Sequence, residues 1–219
     1  MGESIVRVEP GQPIGPHLVP GAVVLLASGV HRESLVIEAS VTLRGEPGAV
    51  LDAERRGPAL LVDVDELEVV VEDLTVTGGA GEAGGGLRLS GWSEVRLVRV
   101  RVVGNEATVA DGGVGGGIYA HRGLLRLSDC TVAENRARAA SGVGLSGAAR
   151  GEIVGGRIEG DVVVLDGAEL TVVGGVITGA LRARGTTTRA PTVVLRGVAV
   201  EGGVENDVNL PAALVVEDC

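Results

Sequence analysis

Asp73, Arg99 and Asp129 each stand three residues before an apolar residue, Val76, Val102 and Val132, that sits at the centre of a recurring phrase. Carboxylates grouped around an arginine can hold a divalent cation and move a proton, so this column is the first candidate for catalysis. Asp218 falls at the same point if the last phrase is read in the same way. A second column holds Arg96, Arg126 and Glu152. The same residues also read as a ladder of alternating sign, worth a few tenths of a kcal/mol per pair between stacked strands. A site built for catalysis would mass acidic groups on one face, whereas here the signs alternate, and that favours the ladder.

Other candidates for chemistry are sparse. Arg88, Tyr119 and His121 form a possible ligand-binding group on a loop-bearing face. Trp92 aligns with Arg122 of the next repeat, a spacing suited to a cation–π contact of about 0.5–1 kcal/mol. Ser146 sits in Gly144-Leu145-Ser146-Gly147-Ala148, which lacks the final glycine of a nucleophile elbow. His17, His31 and His121 are scattered along the chain, so the sequence assembles neither a triad nor a zinc site.

What positions these residues is a repeat. The phrase recurs as Thr75-Val76-Thr77-Gly78, Arg101-Val102-Val103-Gly104-Asn105, Thr131-Val132-Ala133-Glu134-Asn135, Arg157-Ile158-Glu159-Gly160, Val176-Ile177-Thr178-Gly179 and Ala199-Val200-Glu201-Gly202. Its centres are 26, 30, 26, 19 and 23 residues apart, a drift that solenoids absorb in loops of unequal length. Five residues upstream of each centre is a second apolar residue: Val71, Leu97, Leu127, Ile153, Val172 and Leu195. Leu87 and Leu89, Ile118 and Ala120, Val143 and Leu145, and Val162 and Val164 alternate as one buried face of a strand does. These patterns predict an all-β chain folded as a right-handed parallel β-helix of roughly seven or eight coils, about 35 Å long at one strand spacing per coil. Asn105 and Asn135, each closing a phrase, predict a short ladder of turn asparagines. The Pro-rich residues 1–20 predict an N-terminal lead-in or cap, with the β-helix spanning 21–219. Three stretches that loosen the pattern, 106–117, 136–142 and 183–191, are expected to leave the solenoid as loops.

Composition narrows the function classes. The 219 residues carry a formal charge of −10, which opposes a nucleic-acid surface. All 19 basic residues are arginine, so lysine Schiff-base chemistry and the phosphate-loop lysine are excluded. With one Trp, one Tyr and no Phe, stacking platforms for sugars or bases are nearly absent. Cys130 and Cys219 share one repeat position with Leu74 and Val100, which predicts small buried hydrophobes. The first residues lack a signal-peptide pattern, and no apolar run is long enough to span a membrane, so the expectation is a cytoplasmic protein.

The stretch from Val23-Val24-Leu25-Leu26 through Gly29-Val30-His31-Arg32-Glu33, Val41-Thr42-Leu43-Arg44-Gly45 and Ala49-Val50-Leu51-Asp52 resembles the opening coil of the right-handed parallel β-helix superfamily. That group includes pectate-lyase-like and NosD-like carbohydrate-binding and sugar-hydrolase proteins. His31 stands where the family usually has Tyr. Gly-Gly-Gly-Ile-Tyr at 115–119 and Thr-Val-Ala-Glu-Asn at 131–135 resemble the family's glycine-and-asparagine repeats. The resemblance implies, for Asp73, Arg99 and Asp129, a polyuronate lyase or epimerase that would hold calcium and act on an acidic glycan. The superfamily's catalytic signatures are missing, however: there is no Asn-Thr-Asp with a following Asp-Asp and His-Gly, and no paired aspartates with a nearby Gln at esterase-like positions. The sequence reading is therefore a non-catalytic scaffold or protein-interaction module without a cofactor, either part of a longer chain or a self-assembling unit. The strand beginning Val215-Val216-Glu217-Asp218-Cys219 breaks off in mid-coil, so the expected partner is a protein or a second copy bound through that open coil. Neither nucleic acid nor a membrane is expected as a partner.

Overall fold

The computed structural model describes residues 5–108, 114–185, 189–206 and 213–217. They form a parallel β-helix with three long sheets, and each coil contributes one strand to each sheet in turn. The first sheet has ten strands, running from Ile5–Val8 and Val23–Leu26 through Glu94–Val98 and Leu124–Ser128 to Ala213–Glu217. The second and third have eight each, from Gly29–Arg32 to Ala199–Val200 and from Leu35–Val36 to Val204–Asn206. Every pairing in them is parallel, because each strand meets its equivalent one coil away.

Register follows the apolar columns. In the second sheet Val76, Val102, Val132, Ile158, Ile177 and Val200 lie directly opposite one another. In the first sheet Val71, Leu97, Leu127, Ile153, Val172 and Leu195 do the same. A slip of one residue would turn each column out to water, so the burial of these side chains locks the register. Leu43, Leu97 and Val76 are wholly buried. Each such side chain contributes about 1.5–3 kcal/mol relative to exposure. The column of the second sheet continues back to Leu51 and then to His31, whose imidazole is buried and whose Nε2 bonds to the Ala27 carbonyl at 2.9 Å. His31 is thus a core residue, with its Nδ1 lacking a partner among the described residues.

The corner between the first and second sheets is tight. There the chain turns on one left-handed residue, Asp73, Arg99 or Asp129, with φ of 53, 53 and 51°. In later coils glycine takes the position: Gly155, Gly174 and Gly197. Between the second and third sheets Asn105 and Asn135 are buried and joined. Asn105 Oδ1 accepts from the Gly79 amide at 2.9 Å, its Nδ2 donates to Val76 O at 3.1 Å and to Asn135 Oδ1 at 3.0 Å, and its own amide donates to Asn135 Oδ1 at 2.9 Å. Asn135 Nδ2 in turn donates to Val102 O at 2.8 Å. This is the asparagine ladder that the repeat predicts. It satisfies backbone groups that a buried corner would otherwise leave bare.

The second corner varies most in length, from 33–34 in the first coil to 104–117 in a later one, whereas the third corner, leading back to the first sheet, stays short in most coils, as at 90–93, 121–123 and 146–149. The Pro-rich lead-in contributes a strand of its own, Ile5–Val8, before the prolines begin, and the 3-10 turn Gly15–His17, which contains Pro16. Ile14, next to that turn, is wholly buried. The stretch 106–117 opens with the short strand Glu106–Ala107 on Ala80–Gly81, and isolated bridges join Glu106 to Arg136 and Val114 to Ala140. Residues 109–113 and 186–188 lie outside the described residues, as do Asp218 and Cys219. Cys130 is buried and free, and burial pushes its thiol up from the usual range.

Candidate functional site

Asp73, Arg99, Arg96, Arg126 and Glu152 of the charged columns are engaged in ion pairs. Arg99 Nε and Nη2 donate to the two carboxylate oxygens of Asp73 at 2.6 and 2.7 Å, a bidentate pair across one coil step. The Arg99 hydrogen bond holds the Asp73 carboxyl below its usual range, and burial opposes that shift only in part. Asp129 adds a further favourable charge to Arg99. Arg126 lies between Glu152, at 2.7 Å, and Glu94, at 2.5 Å, and Glu94 also accepts from Arg96 at 2.5 Å. Hydrogen bonding from Arg96 and the charge of Arg126 hold the Glu94 carboxyl down. The pattern extends along the molecule in Arg44–Glu72, Arg150–Glu169, Arg196–Glu217 and Arg182 with Asp161 and Glu205. Among the described residues no three His, Cys, Asp or Glu side chains converge as metal ligands would.

Tyr119 and His121 are brought together by a third residue. Tyr119 OH lies 2.7 Å from Ser146 Oγ, and His121 Nδ1 lies 3.0 Å from the same atom. The register sets this up, because Ala120 pairs with Leu145 and the next residue of each strand is His121 and Ser146. Ser146 is buried, its amide donates to Ala120 O, and the amide of Ala148 donates to His121 O. Both amides are thus committed to the backbone of the neighbouring coil. Arg88 pairs in register with Tyr119, yet its Nε donates to Ser90 Oγ at 3.1 Å.

A concavity runs along the third corner and the first outward column of the first sheet. It encloses about 700 Å³. Its floor is made of small residues, Gly123, Ala148, Ala149 and Gly167, and its column runs from Glu68 and Glu94 through Leu124 to Arg150 and Glu169. Trp92 stands at one end with its side chain 53% exposed. Its backbone, in contrast, is fixed. The Trp92 amide donates to Asp65 Oδ1 at 2.7 Å, and Trp92 O accepts from the Glu66 amide at 3.0 Å. Next to it Ser93 Oγ donates to Val64 O at 2.5 Å and accepts from the Leu67 amide at 2.9 Å. Arg122 is exposed and lies outside the groove lining, so the cations that share the groove with Trp92 are Arg150 and Arg189.

Compared with protein-family models, curated proteins and solved structures, the chain matches none. The function must therefore be argued from the surface itself. Reading single columns singles out Asp73, Arg99 and Asp129 but not the groove, whose lining comes from the corners of several coils. The one signal in the sequence is Trp92, the only tryptophan of the chain, standing on the surface of a protein that has almost no aromatic residues.

Proposed function

We propose that this chain is a non-catalytic β-helix scaffold that recruits a protein partner. The observation that carries this reading is the bidentate Asp73–Arg99 pair, which occupies the groups a lyase would need to leave open for substrate. Arg126–Glu152 and Arg150–Glu169 pair in the same way along the first sheet, beside a groove that carries the exposed indole of Trp92. The resemblance to the pectate-lyase-like superfamily supports the fold, and fold alone does not bring an activity with it. The test is an assay of polyuronate cleavage and epimerisation with and without calcium. We expect no turnover. Calcium-dependent turnover that disappears in Arg99→Ala or Asp129→Ala would replace this reading with the lyase or epimerase one.

Self-association belongs to the same proposal. In Ala213–Glu217, Leu214 and Val216 are 36% and 51% exposed, although their partners Val193 and Leu195 in the adjacent strand are buried. A strand edge with such residues pairs readily with another chain. Molar mass by light scattering across a dilution series tests this, and a constant mass near 22 kDa would remove it. A second reading, glycan binding, is favoured by the exposed face of Trp92, since indoles stack on sugar rings.

A further inference from the structure

We infer that the groove beside Trp92 is a docking site for a basic, extended peptide segment of a protein partner, with an arginine or lysine seated on the indole between Glu66 and Glu68. This rests on the scaffold reading above and names the chemistry of its partner. Three observations converge on it. Trp92 is exposed while its backbone is held by the preceding corner, so the platform is already in place before anything binds. A cation over an indole is attracted by the ring's negative face, more strongly as water is excluded.

Two of the charges at this end of the groove, Glu66 and Glu68, are uncommitted among the described residues. Glu94 is held by Arg96 and Arg126, and Arg150 by Glu169. Glu66 and Glu68 have no ion-pair partner among the described residues, and both line the groove next to Trp92. At the far end Arg189 is likewise unpaired among the described residues, its stem lying over Gly167. The groove is thus acidic at the Trp92 end and basic at the other. From Glu68 to Glu169 it crosses four strand spacings, about 19 Å, the reach of an extended segment of about six residues. A chain of net charge −10 also draws cations from a distance and repels acidic glycans.

Because Trp92 is the only tryptophan, its emission reports on this groove and nowhere else. The probe is the blocked peptide acetyl-Gly-Arg-Gly-Arg-Gly-amide, with a citrulline-for-arginine version as the neutral control. We expect a saturable change in emission with the arginine peptide and a dissociation constant about tenfold or more weaker for the citrulline peptide, the Glu66→Gln/Glu68→Gln double variant and, by calorimetry, Trp92→Ala. Raising ionic strength from about 0.01 to 0.15 M should weaken binding several-fold, since the screening length falls to about 8 Å. The proposal is overturned if the citrulline peptide binds equally well, or if no signal or heat develops up to about 5 mM peptide. It is also overturned if neutral or acidic oligosaccharides saturate Trp92 where the arginine peptide does not, which would give the groove to a glycan. The polyuronate assay on the same preparation separates the two levels. Absence of peptide binding with no turnover removes this inference alone, whereas turnover removes the scaffold reading whatever the peptide does.

Discussion

Asn105→Ala should be among the most damaging single changes in this molecule that leave the apolar columns untouched. Asn105 is 1% exposed and its side chain makes four bonds: from the Gly79 amide, and to Val76 O, Val103 O and Asn135 Oδ1. Truncation leaves the Gly79 N–H without a partner in a buried corner, at about 1–3 kcal/mol. The loss of the three bonds that Nδ2 donates adds about 1 kcal/mol or more, so the expected destabilisation is about 3 kcal/mol. In a chain of this size that lowers the melting temperature by about 6–12 °C. Denaturant unfolding followed by circular dichroism and by Trp92 emission measures it, and the two probes also show whether the coils unfold together. Asn105→Asp is the discriminating control. It keeps the acceptor for Gly79 but places a carboxylate against Val76 O and Asn135 Oδ1, so its folded-state pKa lies above its unfolded value of about 3.9. Its deficit relative to the native chain should therefore grow as pH rises above about 4 and shrink below it. A loss smaller than about 1 kcal/mol for Asn105→Ala, or an Asp variant as stable as the native chain at neutral pH, would refute the argument that the ladder satisfies the buried corner.

Three further outcomes follow from the corners and columns. Arg99→Gly gives up an exposed ion pair worth at most about 1 kcal/mol and relieves a left-handed backbone at φ 53° worth about as much, so thermal stability should change by less than about 1 kcal/mol. Gly117→Ala should cost about 2 kcal/mol or more, because its Cβ would meet Val132 Cγ1 at 2.7 Å and Gly142 O at 2.9 Å, while Gly174→Ala, with open space around it and φ of +67°, should cost about 1 kcal/mol in the same melts. The carboxyls of Asp73, Glu46 and Glu94 are all held low by arginine hydrogen bonds, so their contribution is present above the unfolded carboxylate range and is lost as pH falls through their folded values. The melting temperature should accordingly be flat from neutral pH down to about 5 and fall below about 4, less steeply in Arg99→Ala.

The apolar columns were legible because a stacked coil has no freedom of register. Val76 must lie on Val102, so a phrase that recurs in the sequence recurs in space. The asparagine ladder and the Arg126–Glu152 pair could be read for the same reason, since each lies within one column. The partnership of Arg126 with Glu94 was not, because it runs diagonally from one column to another. Nor was the meeting of His121 with Ser146, which needs the third-sheet register to be known through two strands whose loops differ in length. The groove was the least legible of all. Glu66, Trp92, Ala148 and Arg189 lie in corners with no common phrase, and only the stacking of those corners makes them neighbours.

Stacking one coil on the next also makes length a free variable of the architecture. The coil that begins at Arg150 touches Leu124–Ser128 on one side and Glu169–Val173 on the other, and all three strands present apolar residues or glycine at the same inward positions. Removing residues 150–168 would set Leu170 over Leu125 and Val172 over Leu127, contacts of the kind already present at every other level. The groove would then be one rung shorter, with its acidic and basic ends about 5 Å closer. A lineage carrying such a chain can therefore gain or lose reach by whole coils, altering the span of what it holds without redesigning the surface that holds it.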